Sequence, residues 1–275
     1  MDQVLRQDVI EEIIRHTNPD SGAFLVGGQA LNFWAERYSP QASELAYFGP
    51  YVSKDIDFFG GRHAAAKLAA ALGGTVSYPP AGDHSPNSAI VSACVLGEKI
   101  KIDFLWSIAG TPTDKLEQQA VVIGYQIQSG ASQSVVPLKI MHPLHCLQSR
   151  AANVITLGRR DNTSKRQLDA APIILREYIS EALGNEPDVH RARVAASILK
   201  GLAHYLTSNP VGARYDQFSA SNPLDTIRAF ANDDRFDPRF RDNQLKNMID
   251  EVSARQALNR KRQAMAAAKG PVLDS

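Results

Sequence analysis

Ser53-Lys54-Asp55-Ile56-Asp57-Phe58-Phe59 alternates acidic with apolar residues. That is the period-two pattern of a half-buried strand, with Ile56 and Phe58 toward a core and Asp55 and Asp57 together on the other face. Lys99-Ile100-Lys101-Ile102-Asp103-Phe104-Leu105 repeats it, with Ile100, Ile102 and Phe104 inward and Asp103 opposite. Carboxylates side by side on a strand face repel, and a fold keeps them where a counter-charge offsets them. Hard carboxylate oxygens suit Mg²⁺, which also carries substrate phosphates. Such a donor set points to metal-assisted phosphoryl or nucleotidyl transfer.

Upstream, Ala23-Phe24-Leu25-Val26 predicts a short strand running into Gly27-Gly28, with a helix starting near Gln29. Before it, Val4, Leu5, Val9, Ile10, Ile13 and Ile14 have helical spacing. Residues 39–53, with Ser39-Pro40 and Gly49-Pro50, read as a loop. Downstream, the alanine-rich stretch from Arg62 to Leu72 favours a helix. Thr75 to Tyr78 reads as a strand and 78–88 as a loop. Ala89–Leu96 and Lys99–Trp106 read as a hairpin, and Ala120–Gln128 with Ser134–Ile140 as a second pair. From His142 the pattern is helical: from Pro143 to Leu157, from Thr163 to Leu183 with a bend at Pro172, from near Pro187 to Asn209-Pro210, and a long helix from Pro238 to about Ala268. The expected class is α+β. A mixed sheet with flanking helices occupies residues 1–141, and a helical domain occupies 142–275.

The 275 residues suffice for a core, and 44% apolar with 21% charged residues describe a soluble globular protein. No apolar run approaches the ~20 residues that span a bilayer, and no basic-then-apolar leader opens the chain. Cys94 and Cys146, without Cys-x-x-Cys spacing, read as buried free thiols of a cytoplasmic protein. Residues 1–135 hold 9 Lys/Arg against 14 Asp/Glu, and the remainder 21 against 15. An acidic half beside a basic half suits a metal site facing a phosphate-binding wall, and equally an ordinary basic helical surface.

The ordered set Val26-Gly27-Gly28, Asp55-Ile56-Asp57-Phe58 and Ile102-Asp103-Phe104 resembles the nucleotidyltransferase superfamily typified by DNA polymerase beta. Within it, Gly27-Gly28-Gln29-Ala30-Leu31, Ser53 to Phe58, His142-Pro143 and the run Lys165-Arg166-Gln167-Leu168-Asp169 look most like the abortive-infection bacterial toxins, the AbiE effector group. The resemblance covers roughly residues 20–170. It implies that Asp55, Asp57 and Asp103 bind Mg²⁺ or Mn²⁺, that Asp103 accepts the proton of an attacking hydroxyl, and that Gly27 and Gly28 admit a nucleoside triphosphate. The implied reaction joins a nucleoside monophosphate to an acceptor hydroxyl, with RNA or a tRNA end as acceptor. The implied setting is a toxin–antitoxin or phage-defence pair with a cognate antitoxin. Two other readings share the residues: a small-molecule, antibiotic-type nucleotidyltransferase, and a catalytically inactive relative that acts by binding. The spacing between Gly28 and Asp55 exceeds the family's and implies an insertion near 39–52. Arg150 stands nearest to a helical lysine of the relatives.

Lys54, Lys139, Arg150 and Lys165 are candidate triphosphate or acceptor contacts, and each alone also reads as a plain charge. His142 and His145 lack a third zinc ligand, so capping or packing is expected. Asp169 is expected to pair with Lys165 at i,i+4, and Trp34 and Trp106 to line the core or a pocket. Arg255, Arg260, Lys261 and Arg262 read as a solvated helix face or an RNA contact.

Overall fold

A computed structural model describes residues 4–17, 19–51, 55–129 and 132–268. The chain is α+β and divides into two compact units, Met1–Pro40 with Ala46–Ser149, and Gln41–Leu45 with Arg150–Ser275. The division falls after Ser149, whereas the sequence pattern put it at Met141. Residues 141–147, buried throughout, belong to the sheet unit.

The first unit is a seven-stranded mixed sheet. Its strands are β1 (Phe24–Val26), β2 (Ile56–Phe59), β3 (Thr75–Ser77), β4 (Asn87–Val95), β5 (Glu98–Leu105), β6 (Val121–Ser129) and β7 (Ser132–Ile140), in spatial order β3-β4-β5-β2-β1-β7-β6. β2 runs parallel to β5 and β1 parallel to β7, while β1 and β2 are antiparallel. Helices α1 (Gln7–Arg15), α2 (Gly27–Tyr38), α3 (Arg62–Ala71) and α4 (Thr113–Gln119) complete the unit, with the start of α5 (Pro143–Ile155).

Alternation sorts the sheet into two faces. Leu25, Ile56, Phe58, Ile100, Ile102, Phe104, Leu138 and Ile140 are buried on one, where α1 contributes Val9, Ile10, Ile13 and Ile14 and α2 contributes Phe33, whose ring lies 4.8 Å from that of Tyr125. Burying each such side chain contributes about 1.5–3 kcal/mol. The other face carries Asp57, Asp103, Lys99, Lys101, Lys139 and Val122, all exposed or half-buried. α4 arises in a stretch to which the sequence pattern assigned no element.

The second unit holds α6 (Asn162–Leu183), α7 (Val189–Ser208), α8 (Pro223–Arg228) and α9 (Lys246–Ala268). Pro172 lies inside α6 and cannot donate to the carbonyl four residues back, that of Leu168. The buried Tyr215 hydroxyl donates to that carbonyl instead, at 2.6 Å. Thr226 Oγ1 donates to the Pro172 carbonyl at 2.8 Å. The long helix expected from Pro238 is present: Pro238 and Arg239 are helical, Phe240–Leu245 forms a π-helical segment, and α9 continues to Ala268. Among the described residues no helix is long and apolar enough to cross a membrane.

Candidate active site

Strand register brings the aspartates together. Asp57 of β2 and Asp103 of β5 are direct partners on neighbouring parallel strands, and so share one face. Asp55 lies just before β2, not within it, yet close enough to raise the pKa of Asp103. Burial is the larger cause of that rise, while Lys101 opposes it. Asn87 Nδ2, at the start of the neighbouring β4, donates to Asp103 Oδ1 at 3.4 Å. Carboxylates gathered on one sheet face repel one another. A divalent cation would turn that cost into attraction.

Gly27 and Gly28 open α2, so the first turn of a 12-residue helix begins beside β2. Val26 pairs with Asp57 across β1 and β2. Gly27 has φ of +69°, and a Cβ built there would overlap Asp57 Oδ2 and lie 3.2 Å from its Cγ. The glycine therefore forms a cradle that only a residue without a side chain leaves open for the carboxylate.

The donor chemistry fits a Mg²⁺-type ion: carboxylate oxygens from two strands, one seated against the helix start. Among the described residues no group of three or more His, Cys, Asp or Glu side chains is placed to hold a metal ion. The three aspartates share a patch rather than a preset coordination sphere.

The remaining candidates separate. Lys139 of β7 is half-buried on the sheet face of Asp57, with Nζ 5.6 Å from the centroid of the Phe24 ring. Arg150 and Lys165 belong to the helical unit. Arg150 is buried and donates to Gln167 Oε1 at 2.9 Å, while Lys165 is exposed on the first turns of α6. Lys54 lies outside the described residues. Arg260 pairs with Asp216 at 3.0 Å.

Three expectations are corrected. Asp169 is buried and does not pair with Lys165; it accepts from Ser219 Oγ and the Ala220 N–H, both at 2.7 Å. Cys94 is exposed, because its parity is that of Lys99, its partner across the hairpin. Trp106 is exposed, with its indole donating to the Ser85 carbonyl at 3.1 Å, whereas Trp34 is core. His142 and His145 are buried in packing and capping roles, with His142 Nδ1 accepting from the Leu144 N–H at 3.1 Å. Sequence reasoning passed over Asn87 and Lys101. Lys101 stands two residues from Asp103 on the same face, a position its alternation makes legible.

Comparison of the chain with protein-family models, with curated proteins and with solved structures returns no match.

Proposed function

We propose that this chain is a metal-dependent nucleotidyltransferase that moves a nucleoside monophosphate from a nucleoside triphosphate to an acceptor hydroxyl. One observation carries the reading: Asp57 and Asp103 are register partners, with the Asp57 carboxylate seated against Gly27 at the start of α2. Asp55, Asp57 and Asp103 are the residues that would hold Mg²⁺ or Mn²⁺. Such an ion neutralises phosphate charge and aligns the attacking and leaving oxygens.

The chain's own residues supply the rest. Gly27 and Gly28 place the α2 start, the positive end of its helix dipole, directly against the Asp57 carboxylate, so that an ion held there would bring a triphosphate beside the first turn of α2. Asp103, half-buried beside Asp57, is the carboxylate that would take the proton of an acceptor hydroxyl. The resemblance to abortive-infection effectors extends the reading to an RNA acceptor and a cognate antitoxin.

The test incubates the protein with Mg²⁺, triphosphates labelled at the α-phosphate, and total RNA. Transfer of label that is lost in Asp57→Ala and Asp103→Ala supports the proposal. Undiminished transfer by both variants refutes it. Label arriving only on small molecules moves the acceptor to the antibiotic-type class.

A further inference from the structure

The open face of the sheet carries a second feature, on the far side of β5 from β2. A groove of about 410 Å³ is lined by Gly74, Thr75, Ser92, Cys94, Lys99 and Lys101, among others, and no acid lines it. Its shape follows from the sequence. After α3 the chain turns at Gly73, with φ of +61°, and the Gly74 N–H bonds back to the Ala69 carbonyl. A Cβ on Gly74 would lie 2.9 Å from that of Ala93, so only glycine lets the turn close onto β4. Register then pairs Thr75 with Ser92, Ser92 with Lys101, and Cys94 with Lys99. By alternation these side chains point to one face, that of Asp103.

Both lysines are exposed, and among the described residues neither is in an ion pair. Glu98, next to Lys99 in sequence, is taken by Arg6 at 3.2 Å, and Asp103, two residues from Lys101, lies at the end of the groove toward the carboxylate patch. Two ammonium groups over a floor of hydroxyls and small residues form an anion site, with Asp103 the neighbouring acid, next to Lys101 on the same face. Lys99 and Lys101 are about 6.8 Å apart along the strand, comparable with successive phosphates of an extended polynucleotide. The same strand leads directly to Asp103.

We infer that this groove is a phosphate-binding subsite, and that it holds phosphate groups of the acceptor beside the carboxylate patch. The assignment to an acceptor rests on the proposed function; the phosphate site itself does not. A short oligouridylate and inorganic tripolyphosphate are the two probes, since a polynucleotide backbone and a free polyphosphate present the same chemistry.

Cys94 reports occupancy, because it is exposed in the groove while Cys146 is buried. Alkylation of Cys94 by a fluorescent iodoacetamide is followed without metal or triphosphate, so no turnover is needed. Protection of about tenfold is expected with probe at about ten times its Kd. With oligouridylate, log K should fall with log salt at a slope of about −1.4 for two phosphate contacts, and about −0.7 in Lys99→Gln or Lys101→Gln. Lys67→Gln, an exposed lysine on α3, should keep the parent slope. Protection by tripolyphosphate alone supports the site with a free polyphosphate as its ligand. Absence of protection by both probes overturns it, as does an equal effect of Lys67→Gln. Protection that persists in Asp57→Ala separates this site from the proposed chemistry, so either can fail alone.

Discussion

Replacing Gly27 with alanine tests how the site is built. The residue has φ of +69°, and holding an L side chain there costs about 1–2 kcal/mol. The new methyl also overlaps Asp57 Oδ2, so the carboxylate must leave its seat. Overpacking of that kind costs a further 1–3 kcal/mol or so. The expected total is about 2–5 kcal/mol, and the Tm of a unit of this size should fall roughly 2–4 °C for each kcal/mol. In an Asp57→Ala background Oδ2 and Cγ are gone, and only the backbone cost of about 1–2 kcal/mol remains. Urea unfolding of the four proteins of this double-mutant cycle should therefore give a coupling of about 1–3 kcal/mol. An equal cost of Gly27→Ala in both backgrounds would refute the seating of Asp57 against α2.

Asp103 has a raised pKa, so its ionised form opposes folding once the pH passes that value, and the cost is absent below the unfolded value of about 3.9. Asp103→Asn should melt higher than the parent at neutral pH, and the gap should close toward pH 4 in thermal scans. Burial pushes the pKa of His142 down to about 3 and of His145 to about 4, with His145 adding to the first shift and Lys115 to the second. Stability held above pH 6.5 should drain as pH falls toward 4 and then 3, and His145→Leu should flatten that limb of a denaturation series. Tyr215→Phe leaves the buried Leu168 carbonyl without its donor and should cost the helical unit about 1–3 kcal/mol, with α6 amides exchanging faster.

The sheet was legible where alternation was strict. The β4–β5 hairpin and the shared face of Asp57 and Asp103 follow from period two alone, because one face is apolar throughout. Asp169 was misread because an i,i+4 lysine is visible locally, while Ser219 and Ala220 lie fifty residues away and meet it only in the folded chain. The proline inside α6 was legible; the Tyr215 hydroxyl that takes up the Leu168 carbonyl was not, since no local pattern announces a distant donor. Cys94 was taken as buried from residue type, although its parity with Lys99 and Lys101 argued for the open face. At the site, residue types and their order were readable. The cradle at Gly27 was not, because a glycine pair marks a turn and a close approach equally well.

Crystals grown with Mn²⁺ and a non-hydrolysable triphosphate analogue offer the sharpest test, by anomalous scattering at the manganese edge. The nucleotidyltransferase account predicts a manganese peak bonded to Asp57 and Asp103, with triphosphate oxygens on the same ion and the α2 start beside them. Triphosphate and manganese bound elsewhere, with those two carboxylates touching neither, would contradict it.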